Sequence, residues 1–261
     1  MENALEVVRQ LLLGECICDA FEDALVEASA ATKCSSFVLR EPLAIVAVSH
    51  PALLHRNCRR HSVSELATAK TLRAIAATLK PTKLRDALLK HAQDEYRHAR
   101  IFRGLARYLG KLTEQTDVTD YQWILDNDAY FVAHYNGDVT NFICDLFAGE
   151  FRTYRFLTTY VAALSDKTGN YAPKLRNAFI AVLDDEHRHL AYTAHYLNDW
   201  MRSGIQLKDS LVRGFRAYDQ NSWIEVSATA EFFCKPLVAS LVGHLADGLH
   251  QEATSMSLWR S

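Results

Sequence analysis

Helix-breaking residues are scarce: five prolines and ten glycines occur in 261 residues. Most fall between long stretches rich in Ala, Leu, Arg and Glu, so the expectation is an almost all-α protein. No Pro/Gly/Ser-rich stretch divides the chain, and one domain over residues 1–261 is expected. The net charge of −2 gives no general pull toward nucleic acid or anionic lipid, so nucleic acid is not expected as a partner. No uninterrupted apolar run approaches the roughly eighteen residues that span a bilayer, which predicts a soluble protein without a membrane partner. Leu11-Leu12-Leu13 is flanked by acidic residues with no basic stretch before it, so the start does not read as a signal peptide. The six cysteines (Cys16, Cys18, Cys34, Cys58, Cys144, Cys234) lack zinc or CxxC spacing. Buried free thiols in a reducing cytoplasm are the expectation.

What is present is helical pattern. Residues 3–31 read as a leading helix or helix pair, followed by an irregular segment through His50-Pro51 to Arg60. A first core helix is expected from caps at Ser62 and Ser64 until just before Pro81, and a second from Lys83 to Tyr108 with Gly110 as its stop. Residues 111–137 read as polar and turn-rich with a short aromatic piece, Tyr121 to Tyr135. Asp138 or Thr140 can cap a third helix reaching Ser165, Asp166 to Tyr171 reads as a turn, and Pro173 suits the first turn of a fourth helix ending near Met201. Residues 206–255 predict one or two more helices, broken near Pro236.

Two of these helices share a pentad. The second core helix holds Asp94-Glu95-Tyr96-Arg97-His98 and the fourth holds Asp185-Glu186-His187-Arg188-His189; both read Asp-Glu-x-Arg-His. Three residues of separation put the Glu and the His on one helix face, one turn apart, so both can reach one inward-facing metal ion. Carboxylates can bridge two ions while each imidazole binds one, which makes the doubled motif a dinuclear signature. The preceding helices offer Glu65 and Glu150 as partner carboxylates, so the block carrying Glu65 and the second helix is echoed by the block carrying Glu150 and the fourth. Four carboxylates and two neutral imidazoles balance two divalent cations, and such a cluster can be buried without uncompensated charge.

The other pentad members can support the ligands, because metal-bound histidines usually donate their second ring N–H to a carboxylate. Asp94 can meet His189 and Asp185 can meet His98 across the bundle, with Arg97 and Arg188 neutralising the aspartates. His91 and His61 lie four residues before Glu95 and Glu65 and are candidate extra ligands, with a second-shell contact as the commoner role for such a position. His187 and His195 point away from the ligand face and read as surface or packing residues. Thr153, Tyr154, Leu157, Phe102 and Thr193 follow the ligands at helical spacing; they read as core or as the lining of a substrate cavity.

At these residues the sequence resembles the ferritin-like di-iron carboxylate superfamily, in particular its oxygen-activating branch. The pentads are similar to those of bacterial multicomponent monooxygenase hydroxylases. Asp185 to Thr193 also resembles the second motif of soluble acyl-carrier-protein desaturases, and the doubled arrangement resembles arylamine N-oxygenases and tRNA-modifying hydroxylases. The resemblance covers about residues 62–200. It implies a ferritin-like four-helix bundle over about 62–202 with additional N- and C-terminal helices. Glu65 and Glu150 would be terminal ligands, Glu95 and Glu186 bridging ligands, and His98 and His189 one imidazole per metal. The implied cofactors are two Fe ions, with Mn as the alternative, and O2 is the implied co-substrate. Hydroxylation, N-oxygenation or desaturation of a small-molecule substrate would follow, fed by an external electron donor, in a cytoplasmic protein for which a homodimer is one assembly. The rival is iron storage or a non-catalytic metal protein. Where the N-oxygenases place a histidine one turn before the last Glu-x-x-His, this chain has Val182.

Overall fold

A computed structural model describes residues 4–12, 14–32, 37–113, 137–165, 170–219 and 232–234. Among them every regular element is a helix and there is no strand. In chain order these are α1 (Ala4–Leu11), α2 (Asp19–Ala31), α3 (Phe37–Ser49), α4 (Pro51–Thr78), α5 (Lys83–Thr113), α6 (Val139–Ser165) and α7 (Ala172–Arg202), then α8 at 208–219. No described helix is long and apolar enough to cross a membrane.

Local chemistry fixes several helix ends. Asp138 caps α6 by accepting from the backbone N–H groups of Thr140 (2.9 Å) and Asn141 (3.2 Å), as a carboxylate at a helix start does. Those bonds hold its carboxyl below the usual range, the Thr140 hydroxyl contributing most. Helix α7 opens with Pro173 in its first turn. It closes in a Schellman motif: Gly204, at φ +94°, donates to the Met201 carbonyl and Ile205 donates to that of Trp200, both at 3.0 Å. Only glycine takes that left-handed position cheaply.

Three boundaries differ from the sequence expectation. The segment expected to be irregular is largely helical: α3 carries Pro42 within it, and α4 begins at Pro51 rather than near Ser62. A proline in the first turn does not break a helix, because N–H groups there have no intrahelical partner to lose, and His50 before it is extended, at φ −126° and ψ 95°. Ser62 is not a cap. It lies buried in mid-helix, where its hydroxyl donates to the Ala99 carbonyl at 2.8 Å. Helix α5 runs through Gly110 to Thr113, since a glycine inside a long amphipathic helix costs only about 1 kcal/mol. The leading segment is a helix pair joined by a loop that α7 clamps: buried Asn198 accepts from the Cys18 amide at 2.9 Å and donates to the Cys16 carbonyl at 3.1 Å. The aromatic piece at Tyr121 to Tyr135, the turn residues 166–169 and the break at Pro236 lie outside the described residues.

The four long helices are antiparallel to their neighbours, as the register of their contacts shows. His55 Nδ1 meets the Ala106 carbonyl and Ser62 meets that of Ala99, so residue numbers rise along α4 as they fall along α5. The same inverse order relates α4 to α6, through Asn57 with Tyr160 (3.1 Å) and His61 with Phe156. It relates α5 to α7 through His91 with Tyr192 and Phe102 with Phe179. Tyr154 with His187 and Tyr160 with Phe179 do so for α6 and α7. Helices α4 and α7 therefore run one way and α5 and α6 the other.

Buried residues divide into two apolar clusters with a polar layer between them. Along α5, Leu88 and Ala92 join one cluster and Phe102, Leu105 and Leu109 the other, with Glu95 and His98 between. Along α7, Leu190 to Met201 join the first and Leu175 to Val182 the second, with Glu186 and His189 between. The acidic and imidazole residues continue the same helical stripe as the leucines, so the hydrophobic period itself aims them inward.

Candidate metal centre

Each long helix contributes to the polar layer: Glu65 from α4, Glu95 and His98 from α5, Glu150 from α6, Glu186 and His189 from α7. None of the six exceeds 7% exposure. His91 joins them at 1% exposure. Two groups of donor atoms lie within 4.8 Å of one another and could each hold an ion: His91, Glu95, Glu150 and His189, and Glu65, Glu95 and His98. Glu95 belongs to both.

The imidazoles are oriented by reciprocal aspartates. His98 Nε2 donates to Asp185 Oδ2 at 3.0 Å, and His189 Nε2 donates to Asp94 Oδ2 at 3.3 Å. Each aspartate is then shared by both arginines. Arg97 bonds Asp94 (3.1 Å) and Asp185, and Arg188 bonds Asp94 (3.3 Å) and Asp185. Burial pushes the Asp94 carboxyl up, and bonds from His189 and Arg97 outweigh it, leaving the group below its ordinary value. With an N–H fixed on Nε2, the Nδ1 atom of each ring carries the lone pair, and both Nδ1 atoms point into the layer.

Those inward atoms lack hydrogen-bond partners. His98 Nδ1, His189 Nδ1 and both carboxylate oxygens of Glu186 are buried and unsatisfied. They face other lone-pair atoms instead: His98 Nδ1 lies 3.4 Å from Glu95 Oε1 and 3.4 Å from Glu186 Oε1. His189 Nδ1 lies 3.5 Å from Glu95 Oε1 and 3.5 Å from Glu186 Oε2. A cation bonded at about 2.1 Å to each of two donors separates them by about 3.0–3.4 Å in octahedral or tetrahedral geometry. Orphaned lone pairs at these separations fit a metal ion; buried polar groups otherwise find partners. The residues present therefore suit metal.

Four buried carboxylates repel one another unless cations or protons neutralise them. Without metal, protons do so. Burial, then the neighbouring charge of Glu95, pushes the Glu65 carboxyl well up, and burial with Glu150 does the same to Glu186. Burial also raises Glu95, but the facing Glu65 carboxyl and the nearby His91 and His98 imidazoles more than reverse it. His189 is disfavoured as a cation by burial, yet its carboxylate partners hold its pKa well above the usual imidazole value. For Glu65, Glu186 and His189 the folded pKa lies above the unfolded one. Their stabilising contribution is complete below the unfolded value and is lost as pH rises through the folded value. Glu95 and Glu150 act with the opposite sign, but their window lies at acid pH. Metal must displace the retained protons, so affinity rises with pH. The increase in melting temperature caused by divalent ions is expected to be larger at pH 8 than at pH 6, and an equal increase at both would disprove the proton inventory.

If the aspartates orient the imidazoles, Asp94→Ala and Asp185→Ala should keep the helical fold and weaken metal binding by about tenfold or more. Equilibrium dialysis with metal analysis measures this, and unchanged affinity in both variants would remove that role.

The weaker sequence candidates separate cleanly. Phe102 and Leu157 sit at 1% and 0% exposure in an apolar cluster, as packed core. His61 packs between the rings of Phe102 (5.2 Å) and Phe156 (4.6 Å). The Thr193 hydroxyl donates back to carbonyls of its own helix, those of His189 and Leu190. Thr153 and Tyr154 are half-buried, His187 is exposed, and exposed His195 meets Glu15 at 3.1 Å. Cys58 and Cys144 are buried free thiols that burial pushes up to about 12, whereas Cys16 and Cys234 are exposed, contrary to expectation; Cys34 lies outside the described residues. His91, the candidate extra ligand one turn before Glu95, lies within the layer.

Fold and site together define an all-helical protein with a buried carboxylate–imidazole layer able to hold metal. Compared with protein-family models, curated proteins and solved structures, the chain matches none.

Proposed function

We propose that this is a ferritin-like di-iron oxidoreductase, with manganese as the alternative metal, that activates O2 to oxidise a small organic substrate by hydroxylation, N-oxygenation or desaturation. The carrying observation is the convergence of two pentads from two antiparallel helices on one buried layer, each placing an unsatisfied imidazole Nδ1 against shared glutamates. Helix directions with α4 and α7 opposed to α5 and α6 suit a ferritin-like bundle with a long crossover between its two hairpins.

In this reading Glu65, Glu95 and His98 would hold one ion and Glu150, Glu186 and His189 the other, with Glu95 and Glu186, each near both inward imidazole nitrogens, available to both. Two ferrous ions there would supply electrons to reduce O2. The chain supplies the rest. Asp94 and Asp185 hold the imidazole N–H groups and fix the ring orientations, while Arg97 and Arg188 neutralise the aspartates. Apolar clusters on both sides, including Phe102 and Leu157, exclude water from the layer.

Anaerobic iron loading followed by O2, with a substrate screen, tests the assignment. Iron retained per chain should saturate near two, with O2 consumption stimulated by an organic substrate and an electron donor. Mineral accumulating far beyond two irons per chain without a co-substrate would establish storage instead.

A further inference from the structure

His91 extends the doubled motif on one side only. The equivalent position on α7, four residues before Glu186, is Val182, which is apolar and fully buried. His91 Nε2 lies 3.1 Å from Glu95 Oε1 and 3.3 Å from Glu150 Oε1, oxygens from two different helices. Its ring stacks on that of His189 with centroids 3.5 Å apart and planes at 24°. On its other edge Nδ1 lies 2.8 Å from the Tyr192 hydroxyl.

We infer that His91 is a seventh protein ligand, so that the two cation positions are chemically unequal: one offers the nitrogens of His91 and His189, the other that of His98 alone. The inference rests on the two-ion reading above. A single Nε2–H could satisfy one of the two facing oxygens, whereas a cation among His91 Nε2, Glu95, Glu150 and His189 Nδ1 satisfies all four donors, which lie within 4.8 Å. Tyr192 then does for His91 what Asp185 and Asp94 do for the other two rings. Its hydroxyl oxygen accepts the Nδ1–H and leaves the Nε2 lone pair aimed inward. The nitrogen-rich position favours a later first-row divalent ion, and the carboxylate-rich position of Glu65, Glu95 and His98 tolerates a harder one such as Mn2+.

The probe is Co2+ alone, titrated into the metal-free full-length chain, with bound metal counted by equilibrium dialysis. Wild type should bind two ions in two affinity classes. His91→Phe should weaken the tighter class by about tenfold or more, at least what loss of an outer partner costs, and leave the weaker class in place. Paramagnetically shifted exchangeable N–H protons give a second readout. Cobalt-loaded wild type should show one each from His91, His98 and His189, and His91→Phe should lose one. Tyr192→Phe guards against a misfolded His91 variant, and should lower affinity of the same class severalfold with a normal circular dichroism spectrum. Unchanged cobalt affinity in folded His91→Phe and Tyr192→Phe, or only two shifted N–H protons in wild type, overturns His91 as a ligand. The two-ion reading survives that result if wild type still takes up two ions, and falls with the inference if it does not.

Discussion

Glu186→Ala is expected to lower bound metal from two ions per chain to fewer than one at concentrations that saturate the wild type. Each Glu186 oxygen faces a different imidazole, Oε1 lying 3.4 Å from His98 Nδ1 and Oε2 3.5 Å from His189 Nδ1. Removing this carboxylate takes a donor from both positions and strips one negative charge that offsets two dications in a low-dielectric layer. Glu95→Ala should behave alike, because Glu95 Oε1 stands 3.4 Å and 3.5 Å from the same two nitrogens. The metal-free variants should stay folded, since a buried carboxylate opposed by other carboxylates contributes little to stability by itself. Dialysis with elemental analysis, alongside circular dichroism, measures both. Retention of two ions at wild-type affinity by either folded variant would refute the bridging assignment.

Phe147→Ala should destabilise the fold by about 3–5 kcal/mol, the cost of emptying a large aromatic site that cannot collapse. Phe147 is fully buried on α6, packing edge-on to Phe21 of α2 at 6.3 Å and against Phe215 of α8 at 6.1 Å. The cavity would therefore open between the long helices and two elements that flank them. Urea unfolding monitored by circular dichroism reads the change, while metal stoichiometry of the folded variant should remain at two. A loss below about 1 kcal/mol would mean that α2 and α8 do not share the cooperative core. The contrast with Glu186→Ala separates what holds the helices together from what the polar layer binds.

The long helices were legible because their apolar period is strong and their glycines and prolines are few. The pentads were legible because a spacing of three on a helix fixes a shared face before any packing occurs. The aspartate–histidine pairing across helices followed from the same repeat once the two pentads were opposed. Boundaries at Pro51 and Gly110 were not, since the cost of a proline or glycine depends on its turn within the helix and on what the helix packs against. The resemblance implied a four-helix bundle of antiparallel neighbours, but which helices run together, α4 and α7 against α5 and α6, emerges only from inter-helix register. His91 illustrates the division most sharply. By itself, a histidine one turn before Glu95 is as compatible with a satisfied polar contact as with a ligand. Only the tertiary structure brings its Nε2 to oxygens on two helices and its Nδ1 to Tyr192. Spacing along one helix determines which residues share a face, whereas the depth and rotation at which four helices pack decide which atoms meet.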